Sequence, residues 1–426
     1  MSPTRANRPP ALRYRHARRP DLELLADLAL RSYRVRTIEA QRAFYTDHPR
    51  FAFTDVRVGE LDGALVASLV LYPFQSFVRG ARLPVRGIGG VAVSPEHRRR
   101  GVGEALMRAA LREMRQRGDA FSMLYAFRSD FYQRLGYGLI ERSLMLSTPP
   151  ALIPASPEIR RVRRMRLPDR PLVEQLYARL AEERGHFAFE RRPEWWARRL
   201  WDYEGDWVVY ERTRGRIEGY LQYQVDSADG PWKLVINVNE MMASTPDAHR
   251  GLWAYLHGLR DQAVEVTALV PDDFVWPVAV ADPANMRGEM KLFGHRTRGH
   301  AGYGAMLRIV DLKAALEAMP IAREARGEVA LDVRDDVLPT NQRVWRVHAS
   351  GGRLEVRAET ARMQGSRSRL PRLTLSIDML ASILSGSLSP VLAAEAGLIG
   401  DVRGGAVFAD GWFRTRPAFI HPFNAF

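Results

Sequence analysis

The stretch that decides the fold is Gly87–Met107, GIGGVAVSPEHRRRGVGEALM. An apolar run, Ile88–Val93, stops at Ser94-Pro95. The pattern then becomes Arg98-x-x-Gly101-x-Gly103, followed by Ala, Leu and Met at helical spacing. A short apolar run closed by proline reads as a buried strand, and the 3.6-residue period after it as a helix over Glu96–Arg117. The glycines between them let the backbone approach a ligand closely. A helix N-terminus offers unpaired N–H groups and a partial positive charge. With Arg98, Arg99 and Arg100 beside it, this loop reads as a cradle for a diphosphate. Two other nucleotide signatures fail: there is no Gly-Lys-Ser/Thr, and no Gly-x-Gly-x-x-Gly on an early strand with a later acidic partner.

Outward from this motif, Arg19–Tyr33 reads as a helix with Asp21 as N-cap. Val56–Gly59 and Ala64–Tyr72 form a hairpin around Leu61-Asp62-Gly63, and Arg82–Val93, Ala120–Ala126 and Leu139–Leu146 are strands. Pro149–Pro157 holds four prolines and reads as a linker. A second unit repeats the order of elements: helix Leu172–Arg184, hairpin Trp207–Glu211 with Ile217–Gln224, strand Lys233–Met241, helix Ala248–Gln262, strand Val264–Leu269. The match is one of pattern rather than of residues, a degenerate duplication. From Met306 a helix, Asp311–Met319, leads into strands Gly327–Val333, Arg343–Ser350, Arg353–Glu359 and Leu373–Ile377, then helices Asp378–Ser385 and Ser389–Ala396. The expected domains are 1–150, 151–305 and 306–426.

The chain of 426 residues contains no cysteine, which excludes disulfides, thiolate nucleophiles and Cys-ligated metals. No apolar stretch is long enough to cross a membrane, and the first ten residues lack the apolar run of a signal peptide, so a cytoplasmic protein is expected. The net charge is +14. Lysine occurs only at Lys233, Lys291 and Lys313, so nearly all 63 basic residues are arginine, a compositional bias rather than a nucleic-acid footprint. The ten histidines are scattered, and no metal site is expected.

Two further segments carry chemistry. Phe131-Tyr132-x-x-Leu135-Gly136-Tyr137 follows the strand Ala120–Ala126. A phenol of pKa about 10 is protonated at neutral pH and can act as a general acid. The C-terminus, ADGWFRTRPAFIHPFNAF, carries Trp412, Phe413, Phe419, Phe423 and Phe426 up to the last residue. Burying such rings is worth about 1.5–3 kcal/mol each, so this tail is expected to dock, and His421 to be structural.

Arg98, Gly101 and Gly103 after an apolar strand resemble the coenzyme A motif of the GNAT acetyltransferase superfamily. With the aromatic tail, the resemblance narrows to the Eis family and covers nearly the whole chain. It implies two tandem GNAT folds, each a mixed, mostly antiparallel sheet with splayed central strands, and a C-terminal sterol-carrier-like α+β domain. It implies acetyl-CoA as co-substrate, held by Val91, Ala92, Val93, Arg98, Arg99, Arg100, Gly101, Val102, Gly103, Glu104, Phe127 and Arg128. It makes Tyr132 the general acid, backbone N–H near Val93 the oxyanion donor and the C-terminal carboxylate of Phe426 the base, its basicity raised by the surrounding aromatics. The second unit's STPDAHRGLW, Ser244–Trp253, keeps His-Arg-Gly without the second glycine or the arginine cluster, so no cofactor is expected there. Phe127-Arg128-Ser129-Asp130-Phe131 departs from the glycine-rich loop of the best-known members, which puts the substrate preference in question. The family implies amine acceptors, aminoglycoside-type polyamines or lysine side chains, and a homo-oligomer, often a hexamer. Glu23, Asp27 and Glu39, on the helix pair over the mouth, are candidates to receive a polycation. Neither a nucleic-acid nor a membrane partner is expected. The rival reading is a lipid- or small-molecule-binding protein with a relic GNAT pair.

Overall fold

The computed structural model describes residues 11–33, 37–227, 233–275, 299–359 and 370–426. Two large mixed sheets and a third, five-stranded sheet carry the chain. The first sheet runs in the order Arg13–His16, Val56–Leu61, Ala64–Val78, Ala81–Val93, Phe121–Tyr125, Ala305–Ile309, Gly138–Leu139. The second runs Gly299–Tyr303, Arg142–Thr148, Ala263–Pro271, Leu234–Ala243, Arg216–Ser227, Asp206–Thr213, Val162–Arg164. Within each, the central pair of strands is parallel and the other pairings are antiparallel.

Strands pair across the expected boundaries at 150 and 305. The strand expected over Leu139–Leu146 divides. Gly138–Leu139 stays in the first sheet, whereas Arg142–Thr148 crosses into the second and pairs with Ala263–Pro271. In return Ala305–Ile309, at the end of the second unit, enters the first sheet between Phe121–Tyr125 and Gly138–Leu139. Each sheet is completed by a strand from the other half. The reason is burial. Ala305–Ile309 is apolar except for Arg308 and is buried at every residue, so it cannot stay at an edge.

Arg308 is fully buried and forms a two-oxygen ion pair with Asp335 of the third domain, at 2.6 and 2.7 Å. Asp335 also accepts the N–H groups of Val337 and Leu338 and the side-chain amide of Asn341. The exchanged strand is therefore tied to the third domain by a charge pair whose acceptors are saturated.

The duplication is closer than a match of pattern. Arg15-x-x-Arg18-x-Pro20-Asp21 recurs as Arg163-x-x-Arg166-x-Pro168-Asp169. In both copies the first arginine grips the aspartate with two bonds, 2.7 and 2.9 Å in one and 2.6 and 2.9 Å in the other. In both, the backbone N–H of the second arginine donates to that aspartate. Asp21 thus closes a turn of 3-10 helix ahead of the helix Leu22–Tyr33 rather than standing as its plain N-cap.

The helix expected from Glu96 begins at Val102 and runs to Arg117. Arg99 and Gly101 have φ of 59° and 79°, and two left-handed residues cannot continue a right-handed helix. Once started, it buries Val102, Leu106, Met107, Ala110, Leu111 and Met114 against Leu69, Leu71, Ile88 and Leu124 of the sheet. Beyond the expected elements, the structure adds the strand His186–Phe189 on the first sheet and the helix Gly405–Phe413, which buries Trp412 and Phe413.

Replacing Arg308 with Met should cost about 3–5 kcal/mol in chemical denaturation, because Asp335 stays buried without its partner. A fragment of residues 1–150 should be insoluble, since Phe121–Tyr125 then lacks its neighbour; a monomeric, cooperatively melting fragment would contradict the exchange.

Candidate active site

The central strands of the first sheet touch only at their start. Ala81–Val93 and Phe121–Tyr125 are paired at Arg86–Ser122 and Gly87–Met123 and then part. On its other side, Ala81–Val93 slips register against Ala64–Val78 between Val70–Gly89 and Ser68–Ala92, with Gly90 at φ 59°. That bulge turns Val91-Ala92-Val93 away from the neighbouring strand and leaves their inner edge open. The carbonyl of Val91 accepts the hydroxyl of Tyr33 at 2.7 Å, a contact the sequence reading missed. The carbonyl of Val93 accepts Arg98 Nε at 3.1 Å.

The helix Val102–Arg117 starts directly beyond this edge. Its N-cap is Gly101, and no side chain caps it. The second domain builds the same place differently. There Thr245 stands at the N-cap of Pro246–Gly258 and accepts Ala248 N at 3.2 Å, while Pro246 removes a donor. The first helix leaves its N–H groups for a ligand; the second binds one of its own.

Arg98, Arg99, Arg100 and Gly101 are exposed, and Arg99 and Arg100 have no ion-pair partner among the described residues. Gly103 lies over Val93: an added Cβ would be in ordinary contact, 3.5 Å from Val93 and 3.7 Å from Phe131. Glu104 pairs with Arg108 at 2.8 Å one turn on. Phe127 and Arg128 follow the strand Phe121–Tyr125. Phe127 is exposed, with its ring edge-on to Tyr132 at 6.2 Å, and Arg128 pairs with Asp130 at 3.0 Å.

Tyr132 is buried between Phe131 and Tyr137, and its hydroxyl has no hydrogen-bond partner among the described residues. Burial pushes the phenol up to about 12, so it stays protonated. Gly136 holds the turn after it with φ 82°, and an added Cβ would lie 2.8 Å from the Arg308 guanidinium. The loop carrying Tyr132 therefore rests on the exchanged strand.

The C-terminal tail docks onto both GNAT domains. Ile420 N donates to Glu141 at 2.8 Å, and the other oxygen of that buried carboxylate accepts Ala305 N at 2.9 Å. Phe423 enters the second domain's aromatic cluster against Trp207 and Tyr203. Asn424 is held by Arg191 and Tyr177. Arg50 donates to the carbonyls of Asn424 and Ala425 at 3.0 and 2.7 Å. The ring of Phe426 packs among Tyr72, Phe74, Tyr125 and Phe189. It lies against Gly87, where an added Cβ would be 2.8 Å from it, beside the pair at which the strands begin to part. Arg50 and Glu141 gave no sequence signal, because their partners are backbone atoms several hundred or more than a hundred residues away. His421 lies 3.8 Å from the buried Glu240 and packs there.

The carboxylates proposed to receive a polycation are each spoken for. Glu23 and Glu39 face Arg42, at 2.6 and 3.8 Å, and Asp27 pairs with Arg31 at 2.9 Å.

A splayed parallel strand pair, an uncapped glycine-led helix and a cluster of free arginines define the first domain as a GNAT acetyltransferase domain. The comparisons agree: acetyltransferase (GNAT) domain models match residues 13–140 and 188–309, and a sterol carrier protein domain model matches 312–418. The chain is 29% identical over 374 residues to an uncharacterized N-acetyltransferase of Streptomyces avermitilis, covering 83% of this chain and 85% of the relative. It is 29% identical over 325 residues to the N-acetyltransferase Eis of Mycobacterium bovis, covering 70% and 73%. A GCN5-related N-acetyltransferase from Anabaena variabilis superposes with a TM-score of 0.80 at 20% identity, over 97% of this chain and 100% of that one. The chain carries two GNAT acetyltransferase domains and a sterol carrier protein domain and is similar to Eis over most of its length; the GNAT domains imply acetyl-CoA as co-substrate. No helix among the described residues is long and apolar enough to cross a membrane.

His48, beside Arg50, and His186, at the domain junction, are held down to about 3, each chiefly by burial. Unfolded, both would titrate near 6.5, so between pH 6.5 and 3 the unfolded chain binds more protons. Stability should therefore fall as pH drops through that window, and His48→Phe should flatten the slope in denaturation measured from pH 7 to 4.

Proposed function

We propose that the cleft of the first domain binds acetyl-CoA and that the enzyme transfers its acetyl group directly to a primary amine. The observation that carries this is the uncapped N-terminus of Val102–Arg117, set directly beyond the open edge of Val91-Ala92-Val93. The residues fit a diphosphate. The helix that starts at Val102 follows a left-handed glycine with no side-chain cap, and Arg98, Arg99 and Arg100 are exposed beside it with no ion-pair partner among the described residues. Val91-Ala92-Val93 would line up the pantetheine amides along their open edge, with Phe127 and Arg128 after the parting strand Phe121–Tyr125.

Acetyl-CoA supplies the thioester carbon; this chain supplies position and protons. Backbone N–H near Val93 receives the negative charge that develops on the carbonyl oxygen. The amine nitrogen bonds to that carbon as its proton passes, directly or through one water, to the carboxylate of Phe426. The carbon–sulfur bond breaks, and Tyr132 gives its proton to the departing thiolate. Solvent returns a proton to Tyr132 and takes one from Phe426. The free phenol of Tyr132 supports the first assignment and the seat of Phe426 beside Gly87 the second.

Tyr132→Phe should lower kcat by about 10²–10⁴-fold while acetyl-CoA affinity by calorimetry stays within twofold; a near-normal kcat removes the acid role. Deleting Phe426 should collapse turnover and remove the base's contribution to the acidic limb of the pH–rate profile, whereas Phe426→Leu, which keeps a terminal carboxylate, retains activity. Equal effects of the two variants would leave the tail a purely structural part.

A further inference from the structure

We propose that Arg50 is a positioning residue: it aims the C-terminal carboxylate of Phe426 by gripping the two main-chain carbonyls that precede it. Its value to catalysis rests on the proposed reading of that carboxylate as the base.

The tail has its own anchors as far as Asn424. Glu141 accepts Ile420 N at 2.8 Å, and Phe423 packs on Trp207. The side chain of Asn424 is held by Arg191 at 2.8 Å and by Tyr177 at 2.9 Å. Past that point the holds are fewer. Ala425 N closes onto Pro422 O at 3.2 Å, and the ring of Phe426 packs 4.7 Å from Phe74 and 5.4 Å from Tyr72. Neither contact sets the direction in which the carboxylate faces. Arg50 supplies that constraint. Nη1 donates to the carbonyl of Asn424 at 3.0 Å, and Nη2 to the carbonyl of Ala425 at 2.7 Å. A planar fork on two successive carbonyls fixes the last two peptide planes of the chain, which a single-point donor such as lysine cannot do. Both bonds end on carbonyls, so the grip leaves the carboxylate free to take a proton.

The fork is itself held rigidly. Its guanidinium lies over Trp195 of the second domain, 3.5 Å from the ring centre. Tyr72 and Phe74, each within 6 Å of it, are the same rings that pack on Phe426. The backbone N–H of Arg50 donates to His48 Nδ1 at 3.2 Å, which ties down the loop that carries it. Burial lowers the guanidinium to about 9, so it stays charged at neutral pH.

The fold uses the same clamp elsewhere for support alone. Arg79 donates to the carbonyls of Pro320, Trp412 and Phe413 at 3.1, 2.9 and 2.6 Å and closes the helix Gly405–Phe413. There the chain runs on. At Arg50 it ends one residue later, in the proposed base. A reacting group displaced by about 1 Å can cost about 10²-fold in rate, so a clamp at this place acts on kcat.

Arg50→Met removes the clamp, and Arg50→Lys keeps the charge without the fork. Carboxypeptidase Y reads the position of the terminus directly: release of Phe426 should be at least about tenfold faster from either variant than from the full wild-type chain, with cooperative melting retained. Unchanged release overturns the inference, and if Arg50→Met does not fold, Arg50→Lys decides it. In a thiol-release assay with acetyl-CoA and either spermine or kanamycin, both variants should lose at least about tenfold in kcat, with the KM for acetyl-CoA within about twofold. In a chain lacking Phe426, Arg50→Met should lower the residual kcat no further, because the two changes act through one group. An equal loss in that background overturns the inference, as does a near-normal kcat in both variants where deleting Phe426 abolishes turnover. If deleting Phe426 leaves kcat unchanged, or neither amine is turned over, the reading of the base fails instead. The release of Phe426 then decides by itself whether Arg50 aims the terminus.

Discussion

An ion pair with no access to water, Arg308 to Asp335, ties the first sheet to the third domain. Arg308 rides on a strand that leaves the second domain's part of the chain to complete the first sheet, and Asp335 belongs to the third. Breaking either partner strands a charge in the interior. The pair therefore acts less as a source of net stability than as a fixed coordinate. Gly136 packs on the guanidinium, so the loop that presents Tyr132 takes its position from this contact. Glu141 does the same for the tail, joining Ala305 N to Ile420 N through one carboxylate. The segments that carry Tyr132 and Phe426 are held by residues from all three domains.

The two GNAT halves share their entry motif down to the arginine–aspartate grip, yet only one keeps a usable helix start. The difference is a few atoms. A glycine cap leaves main-chain donors exposed, and a threonine cap followed by proline uses or removes them. The second domain's value to the enzyme lies in what it lends: a strand to the first sheet, a seat for Phe423, and Arg191 to hold Asn424.

The sequence by itself determined the local chemistry. A strand, a glycine-led turn and an amphipathic helix are written in consecutive residues, and so are the tyrosine loop and the apolar tail. Their propensities and periods act over a few residues, which is why Gly87–Met107, the hairpin at Asp62-Gly63 and the three-part order of the chain were legible. Helix onset at Val102 was not, because it depends on backbone torsions at Arg99 and Gly101 that composition does not set. Nor was the exchange of Arg142–Thr148 for Ala305–Ile309, or the meeting of Arg50 with Ala425. Those are choices between partners far apart in the chain, settled by which arrangement buries the most apolar surface and leaves the fewest charges unpaired. Only the tertiary structure makes that choice.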